Sequence, residues 1–258
     1  MKIAVALLDA SKSGNELRDS IAKLTKTAKQ NKAQIIVLPE LSYSGYNPDR
    51  FAKDATLLDE TASFFGDLAR DNRIFIIAGA AVKSNNLTTN SALVFDNLGS
   101  LVSKYDKIHL FSKTAEQDVF SCGSNLVSFE VGDKKFGIFI CYDLRFPEIF
   151  SAMYDVDAFL CIAAWPIERA GVFELLLRAR AIENCKPIFV SNWTGESVNS
   201  IKYGCGAYAF DALGEKIDSK IVTGCAIFEF LPSPKDILDS TDDKRFDLYV
   251  DFYSRFIK

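Results

Sequence analysis

Apolar residues along this chain form short blocks that alternate with longer stretches of mixed polarity. Short apolar blocks bounded by glycine, proline or polar residues are typical of buried strands. The predicted strands cover residues 3–8, 35–38, 74–82, 91–95, 101–104, 127–131, 135–140, 158–163, 188–193, 205–210 and 225–230. Glycine-containing sequences at residues 96–99 and 132–133 predict turns that join neighbouring strands into hairpins.

The stretches between these strands show the residue spacing of helices. Leu17, Ile21, Leu24 and Ala28 recur at intervals of four, three and four residues, which places them on one helical face. The predicted helices cover residues 15–31, 61–71, 147–154 and 172–184. Helices between strands, together with hairpins, indicate an α/β fold with two sheets whose outer faces are covered by helices. Because no internal linker or repeat interrupts the pattern, we predict a single domain over residues 1–258.

The last segment of the chain, from about residue 232 to residue 258, differs from the rest. It is first charged and then rich in aromatic residues, among them Phe246, Tyr249 and Phe252. Such a segment is too apolar to face solvent alone, so we predict that it packs on a partner subunit. The protein is therefore expected to form a homodimer or a higher homo-oligomer.

The composition is typical of a globular enzyme that acts on small molecules. Of the 258 residues, 48% are hydrophobic and 25% are charged, which supplies a large core. The net charge of −4 and the lack of basic runs argue against nucleic acid as a partner. No segment approaches the roughly 18 apolar residues of a membrane helix, and the first apolar block is too short for a signal peptide. We therefore expect a cytoplasmic protein with no membrane partner.

The cysteines and the single histidine limit the metal chemistry that the sequence can support. The six cysteines are Cys122, Cys141, Cys161, Cys185, Cys205 and Cys225. None of them forms a C-x-x-C pair, and His109 is the only histidine, so the usual zinc-ligand spacings are missing. We expect no metal, no other cofactor and, in a reducing cytoplasm, no disulfide framework.

Residues 137–148 are the most informative stretch for function. A glycine opens an apolar strand that ends on Cys141, and polar residues follow at once. Open α/β folds place reactive groups in the loops after strand ends, and a fixed, partly exposed thiol suits attack on a carbonyl carbon. Free cysteine is also among the most buried residue types. For this segment alone, simple packing is an equally good interpretation.

Two further segments favour the functional interpretation. Residues 35–46 contain an apolar strand that runs into Glu40 behind a proline, and residues 104–111 place Lys107 beside aromatic and apolar residues. A charge at the end of an apolar strand is costly unless it is paired or used, although either residue alone is more typical of a solvated strand end. Together, Glu40, Lys107 and Cys141 supply a base, a cation and a nucleophile for covalent acyl transfer.

In this order, the three segments resemble the motifs of the nitrilase superfamily of carbon–nitrogen hydrolases. The resemblance extends over residues 2–249 and implies a four-layer α-β-β-α sandwich, with two mixed sheets covered by helices. It implies that Glu40 is the general base, that Lys107 stabilises the oxyanion and that Cys141 forms a thioester while a small amide is hydrolysed to a carboxylate and ammonia. The main-chain N–H of Tyr142, directly after the cysteine, is the expected second oxyanion donor.

A fourth motif and the sequence after the cysteine refine this resemblance. Residues 116–123 match a stretch that carries a second glutamate, which implies a catalytic role for Glu116, with Cys122 in place of the usual proline. A solvated loop acid is the alternative interpretation of Glu116. Residues 163–166 and 178–184 look most like the ω-amidase branch. Members of that branch hydrolyse the terminal amide of 2-oxo-dicarboxylic acid monoamides such as 2-oxoglutaramate.

The sequence offers four candidates for substrate contact in the pocket. They are Tyr43, Tyr46, Arg145 and Trp165. Core packing is the preferred interpretation of Tyr43 and Trp165. A structural ion pair between Arg145 and Glu148 is preferred over a contact between Arg145 and the ligand.

Two other positions near the motifs have open roles. His109 lies two residues from Lys107 and is expected to hold its loop rather than to act as an acid or base. An ω-amidase requires a cation for the substrate carboxylate, and the sequence leaves Lys202, Arg169 and Arg145 as alternatives.

Other functions remain open on the sequence alone. An N-carbamoyl amino-acid or polyamine hydrolase, or an amidase of glutamine-like amides, would use the same three residues with a different pocket. A nitrile could be attacked by the same thiol. The non-enzymatic alternative is a binding protein that kept the fold and lost the chemistry, and the presence of Glu40, Lys107 and Cys141 argues against it.

Overall fold

The computed structural model describes residues 1–84 and 87–231. Within these residues, two large β-sheets pack face to face and helices cover the outer face of each sheet. This arrangement confirms the α-β-β-α sandwich predicted for the chain.

Strands of the described residues are numbered in chain order and listed sheet by sheet in the order of their spatial neighbours. The first sheet contains β14 (Ser219–Val222), β15 (Cys225–Glu229), β1 (Lys2–Ala6), β2 (Ile35–Val37), β4 (Phe75–Ser84), β5 (Leu87–Phe95) and β6 (Leu101–Asp106), with β3 (Thr56–Leu57) beside β4. The second contains β13 (Ala207–Phe210), β10 (Ile188–Ser191), β9 (Ala158–Ile162), β8 (Lys134–Ile140) and β7 (Val127–Val131). A small separate pair consists of β11 (Gly195–Glu196) and β12 (Lys202–Tyr203).

The helices of the described residues connect and cover these strands. They are α1 (Gly14–Gln30), α2 (Phe51–Asp54), α3 (Leu58–Asn72), α4 (Glu116–Val119), α5 (Pro147–Ala152) and α6 (Ala170–Asn184). Short 3-10 segments occur at Pro48–Arg50, Cys141–Arg145 and Ile167–Arg169. Helices α1 and α3 pack on the first sheet, and α6 packs on the second.

The central strands of both sheets are parallel, and their carboxyl ends meet at one edge of the sandwich. In the first sheet β1, β2 and β4 are parallel, and in the second β8, β9 and β10 are parallel. The main-chain N–H of Glu40, just after β2, donates a 3.4 Å hydrogen bond to the carbonyl of Ala163, just after β9. Loops that follow strands of different sheets therefore lie side by side.

Strand β1 is apolar after Lys2 and contributes side chains to two cores. Ile3 and Val5 belong to the inner core between the sheets, while Ala4 and Ala6 belong to the outer core beneath α1. Successive side chains of a strand point to opposite faces of the sheet, and a strand buried on both faces has no polar alternation. The predicted face of α1, which includes Ile21, packs on the outer core, and full burial of such a side chain contributes about 1.5–3 kcal/mol.

Most of the predicted elements lie where the pattern placed them. The helix predicted at residues 15–31 is α1, and the hairpin predicted around residues 132–133 joins β7 to β8. Six short helices and strands of the described residues were not predicted: α2, α4, β3, β11, β12 and β14. Helix α4 is about one turn long and carries no periodic pattern, and β14 is a largely exposed edge strand with no apolar face to identify it.

The predicted aromatic tail, from about residue 232 to residue 258, lies outside the described residues. Its packing on a partner subunit and the homo-oligomer that it implies therefore stay predictions. In the part of the chain that the structure describes, no helix combines the length and the apolar character needed to span a bilayer.

Candidate active site

Four polar side chains converge where the carboxyl ends of the two sheets meet. Lys107 Nζ lies 2.7 Å from Glu40 Oε1 and 2.8 Å from Glu116 Oε2, and all three side chains are buried. Cys141 lies beside this cluster and lines the same pocket as Glu116, so the charges of Glu40, Lys107 and Glu116 all act on its thiol. The structure thus brings together the four residues selected from the sequence.

Glu40 is fixed through its main chain and through one of its carboxylate oxygens. Trp193 Nε1 donates to the Glu40 carbonyl (2.9 Å), and Asn90 Nδ2 donates to Oε1 (2.7 Å), which also accepts from Lys107. The neighbouring strand approaches so closely that a Cβ at Gly79 would lie 2.2 Å from the main-chain nitrogen after Glu40. Within the described residues, Oε2 has no hydrogen-bond partner. This oxygen is therefore the one available to accept a proton.

Glu116 has both of its carboxylate oxygens occupied. Oε1 accepts from the hydroxyl of Tyr46 (2.7 Å) and from Lys107, and Oε2 accepts from Lys107 and from the main-chain N–H of Phe111 (3.0 Å). The side chain is fully buried, so the solvated-acid interpretation of Glu116 is wrong. With these bonds, Glu116 is arranged to hold the lysine in place.

Cys141 begins a sharp turn at the end of β8. Its φ angle is 47°, in the left-handed region that is uncommon for residues other than glycine. The 3-10 segment that follows starts with Cys141 and Tyr142, and N–H groups in the first turn of a helix have no acceptor within it. A main-chain N–H of Ala164 points at the sulfur. The turn therefore presents a thiol together with main-chain donors.

The protonation states in the cluster follow from burial and from the neighbouring charges. Burial raises the pKa of the Cys141 thiol well above its ordinary value, and Glu40 raises it further, while Lys107 opposes both. Burial also raises the pKa of Glu40, against the lowering effect of Lys107. Burial alone would lower the pKa of Lys107, but Glu40 and Glu116 raise it above that of a free lysine. The resting site is therefore a neutral thiol beside an ammonium, and attack requires a base to remove the thiol proton.

The 3-10 turn is held by Asp143, which was not predicted from the sequence. Its Oδ2 accepts from the hydroxyl of Tyr105 (2.7 Å) and from the main-chain N–H of Ile140 (3.1 Å). Its Oδ1 accepts from the main-chain N–H of His109 and lies 2.9 Å from the ring Nδ1 of the same residue. His109 thus ties its loop to the turn, as expected from the sequence.

A small pocket leads from Cys141 towards the surface, with a cavity volume of about 70 Å³. Three of the predicted contact residues, Tyr46, Arg145 and Trp165, line it. Trp165 also stacks on Phe173, with ring centroids 4.7 Å apart. Its ring therefore belongs both to the core and to the pocket wall.

Tyr43, the fourth candidate for substrate contact, does not line this pocket. Its hydroxyl donates to Glu60 (2.9 Å), and its ring packs edge-on against Phe64 and Phe65. The backbone turns at Leu41, whose φ angle is 53°, before it reaches Tyr43. The candidate contact is therefore corrected to the alternative interpretation, core packing against α3.

Two arginines line the pocket on its exposed side. The guanidinium of Arg145 lies over the ring of Trp165 (5.4 Å to the centroid), and that of Arg169 lies over Phe111 (5.7 Å). The ion pair preferred for Arg145 and Glu148 does not form among residues 1–84 and 87–231, because the guanidinium is drawn to the aromatic wall instead. In the same residues neither arginine has a carboxylate partner. Two cations are thus available to an anionic ligand.

Several residues of the site had no clear signal in the sequence. Asn90 lies in the polar first part of β5, before the strand predicted at residues 91–95, and Asn192 follows β10 and bonds both main-chain polar groups of Trp165 (2.7 and 2.9 Å). A polar residue within the apolar block predicted at residues 188–193 was the available signal for Asn192, whereas Asn90 had none. Tyr203 lines the pocket without any such signal, whereas Lys202, an open candidate for the substrate carboxylate, is not among the lining residues.

The thiols outside the pocket take no part in the cluster. All six cysteines are free, and Cys141 is the one that lines the pocket of the described chain. Among the described residues, no group of three or more His, Cys, Asp or Glu side chains has an arrangement that could hold a metal ion.

A buried Glu–Lys–Glu cluster beside a cysteine on a strand-end turn defines a thiol-dependent acyl-transfer site. Comparison with known proteins identifies the family to which this site belongs. The chain belongs to the carbon–nitrogen hydrolase family, whose family model matches residues 3–219. It is therefore an enzyme that hydrolyses amides, and the resemblance to the nitrilase superfamily is confirmed.

Individual relatives agree with this placement. The 2-oxoglutaramate amidase of Paenarthrobacter nicotinovorans is 28% identical over 238 residues, which are 85% of this chain and 81% of that protein. The 2-oxoglutaramate amidase of Bacillus subtilis (strain 168) is 34% identical over 176 residues, 64% of this chain and 65% of that protein. The protein named hydrolase in agr operon of Staphylococcus aureus is 33% identical, and the match spans 66% of its length and 64% of this chain.

Among solved structures, a form of the Nesterenkonia sp. AN1 amidase with acrylamide added at its active site cysteine superposes with a TM-score of 0.85. The two proteins are 22% identical, and the match covers 98% of this chain and 99% of that one. This likeness confirms the fold.

Proposed function

We propose that this protein hydrolyses the terminal amide of a 2-oxo-dicarboxylic acid monoamide, with 2-oxoglutaramate as the representative substrate. One observation carries the proposal: the thiol of Cys141 lines the same small pocket as two guanidiniums that have no carboxylate partner among the described residues. A molecule with an amide at one end and a carboxylate at the other matches that polarity. The two 2-oxoglutaramate amidases among the relatives support the choice of acyl group.

In the first half-reaction, Cys141 Sγ attacks the amide carbon while Glu40 takes the thiol proton. The carbonyl oxygen becomes an oxyanion, which Lys107 Nζ and the main-chain N–H of Tyr142 stabilise. Glu40 then returns the proton to the nitrogen, the C–N bond breaks, and ammonia leaves a thioester on the sulfur. A positioned base contributes about 10²–10⁴-fold to such a step, and one oxyanion donor contributes about 10²–10³-fold.

In the second half-reaction, water replaces ammonia. Glu40 takes a proton from the water as its oxygen attacks the thioester carbon, and Lys107 again faces the oxyanion. The C–S bond breaks, Glu40 returns its proton to the sulfur, and the carboxylic acid leaves and gives up its remaining proton to the released ammonia, which yields the carboxylate and ammonium. Glu116 acts as a positioning residue in both halves, because its oxygens are already filled by Lys107, Tyr46 and Phe111.

The two arginines provide the means to recognise the other end of the substrate. A guanidinium can bind a carboxylate through two parallel hydrogen bonds. Arg145 and Arg169 reach the pocket from the segments after Cys141 and after Trp165, so one carboxylate and the adjacent 2-oxo group can meet both. A charge-assisted pair of this kind corresponds to about 10- to 100-fold in binding.

A substrate panel tests the proposal. Ammonia release is measured with 2-oxoglutaramate, with a neutral amide of the same length, and with N-carbamoyl amino acids and polyamines. We expect kcat/KM to be highest for 2-oxoglutaramate, with no activity in Cys141→Ala, which cannot form a thioester. A preference for the neutral amide would contradict the proposal.

N-carbamoyl amino acids are the competing substrates, because they also carry a carboxylate for the arginines. Their hydrolysis releases an amine and carbon dioxide together with ammonia, whereas a 2-oxo amide releases only ammonia and a dicarboxylate. Intact-mass analysis of the enzyme during turnover adds a second readout, because the mass added to Cys141 identifies the acyl group. A carbamoyl adduct would replace the proposed substrate class and keep the mechanism.

A further inference from the structure

Tyr203 is a pocket residue whose hydroxyl has nothing to bond to in the described protein. The residue is 5% exposed and lines the same cavity as Cys141. Its hydroxyl is fully buried and has no hydrogen-bond partner among residues 1–84 and 87–231. Glu40 Oε2 is likewise buried and has no hydrogen-bond partner among these residues. Buried polar atoms are nearly always bonded, so two such atoms at one reacting centre point to a ligand that bonds both.

The backbone of Tyr203 is fixed, so the position of the hydroxyl is not an accident of a loose loop. Tyr203 ends β12 and pairs with Gly195 of β11. It also forms a bridge with Pro166, the residue after Trp165 in the pocket wall. Its ring packs in the outer core together with Trp193, whose indole N–H bonds the carbonyl of Glu40. The phenol is therefore built into the same framework that holds the base.

The phenol is also in the right chemical state to serve a neutral ligand. Burial raises the pKa of Tyr203, and the charges of Glu40 and Cys141 raise it further, so the phenol keeps its proton in the pocket that it shares with Cys141. A neutral phenol donates one hydrogen bond and accepts others. A water molecule between the phenol and a carboxylate accepts from the first and donates to the second. That arrangement leaves a lone pair of the water free for attack.

We propose that the Tyr203 hydroxyl and Glu40 Oε2 together position the water that hydrolyses the thioester on Cys141. In that step the water oxygen forms a bond to the thioester carbon, its proton passes to Glu40 Oε2, and the C–S bond breaks. Tyr203 keeps its own proton throughout. The inference rests on the proposed covalent route but not on the identity of the acyl group.

The two half-reactions depend on Tyr203 to different extents. In the first, the leaving nitrogen is still part of a bound substrate, so its position is set by the rest of the molecule. In the second, the attacking water is a separate molecule, and fixing a free reactant is a large part of what a catalytic site supplies. Loss of the phenol oxygen should therefore slow hydrolysis of the thioester and leave its formation unchanged.

The experiment compares Tyr203→Phe with wild type by rapid quenching and intact-mass analysis, using any amide that the wild type hydrolyses. We expect thioester loss to slow about tenfold, the value of one hydrogen bond. The adduct should accumulate in the steady state, and KM should fall together with kcat. Tyr43→Phe is the matched control, because it removes another tyrosine hydroxyl, one that is bonded to Glu60 outside the pocket. Both rates should be unchanged in the control.

The possible outcomes separate this inference from the function proposed above. If wild type forms a thioester and Tyr203→Phe slows both half-reactions equally, or neither, the role of Tyr203 in placing water is overturned while the covalent route stands. If no adduct forms on Cys141 in any variant, the covalent route is overturned and this inference with it. Thermal unfolding of Tyr203→Phe is measured as well. A lower melting temperature together with a loss of both rates would identify general destabilisation of the fold as the cause.

Discussion

Tyr105 donates a 2.7 Å hydrogen bond to Asp143, and this bond connects the segment that carries the lysine to the turn that carries the cysteine. Tyr105 lies two residues before Lys107, and Asp143 lies two residues after Cys141. Both partners are fully buried. The distance between the ammonium and the thiol is therefore set by a polar contact outside the reacting cluster.

Asp143→Asn should weaken both stability and turnover. The amide has one acceptor oxygen in place of two. At least one of the hydrogen-bond donors supplied by Tyr105, His109 and Ile140 is therefore left without an acceptor. We expect the free energy of unfolding to fall by about 2–3 kcal/mol, measured by urea denaturation. Tyr105→Phe is the comparison and should cost about 1 kcal/mol. A fully stable Asp143→Asn with normal kcat would show that the turn is held by other means.

Lys107→Met should abolish turnover and destabilise the fold. It leaves the Glu40 and Glu116 carboxylates buried without a cation, and breaking such a pair costs about 3–5 kcal/mol. Adding Glu116→Gln should restore part of the stability, because one buried charge is then removed, but it should not restore activity. Denaturant unfolding and ammonia release measured on both variants separate the two effects. Recovery of activity in the double variant would exclude Lys107 as the oxyanion donor.

Glu40→Gln should make the thiol more acidic even though it removes the base. The negative charge of Glu40 raises the pKa of Cys141, so a neutral side chain in its place should lower that pKa. At neutral pH the rate of alkylation of Cys141 by iodoacetamide should rise, whereas amide turnover should fall by about 10²–10⁴-fold. The exposed Glu148→Gln on α5 serves as control. An unchanged or higher thiol pKa in Glu40→Gln would contradict the electrostatic role of Glu40.

Arg145→Met should change specificity more than chemistry. If the guanidinium binds the substrate carboxylate, KM for 2-oxoglutaramate should rise by about 10- to 100-fold, while kcat/KM for a neutral amide should stay the same. Lys202→Met removes an exposed cation that pairs with Glu196 at 3.9 Å and does not line the pocket. It should leave both substrates unaffected. Equal losses on charged and neutral amides would assign Arg145 to packing against Trp165.

Gly79→Ala tests the close approach behind Glu40. The added Cβ would lie 2.2 Å from the main-chain nitrogen of Leu41, so the segment that carries Glu40 must move. We expect a loss of about 1–3 kcal/mol in stability and a lower kcat. Gly171→Ala in α6 meets no atom within 4 Å and should be neutral or stabilising by about 0.5–1 kcal/mol. Normal activity in Gly79→Ala would show that the segment tolerates displacement.

The sequence was sufficient to predict the main elements and the residues that meet in the buried cluster, because each lies at a visible change of pattern. Glu40 and Cys141 stand where an apolar strand stops, and Lys107 follows a strand of mixed polarity. The helical face of α1 follows from spacing alone. These features are local in the sequence, so they can be recognised without knowing which strands are neighbours in the fold.

The supporting residues could not be predicted, because they depend on which strands are neighbours. Asn90 reaches Glu40 only because β5 lies next to β4 and opposite the loop of Lys107. Tyr203 reaches the pocket only because β12 pairs with β11 and meets Pro166. Entirely apolar strands such as β2 and β9 give no alternation from which to assign an inner and an outer face.

The contact between Glu40 and Ala163 has a wider implication for how this molecule loses function. Glu40 and Lys107 belong to one half of the sandwich and Cys141 belongs to the other, so neither half alone contains the whole cluster. A small displacement of one sheet relative to the other would separate these residues and abolish activity, while every helix and strand stayed intact. Inactivation on warming should therefore precede the loss of circular dichroism.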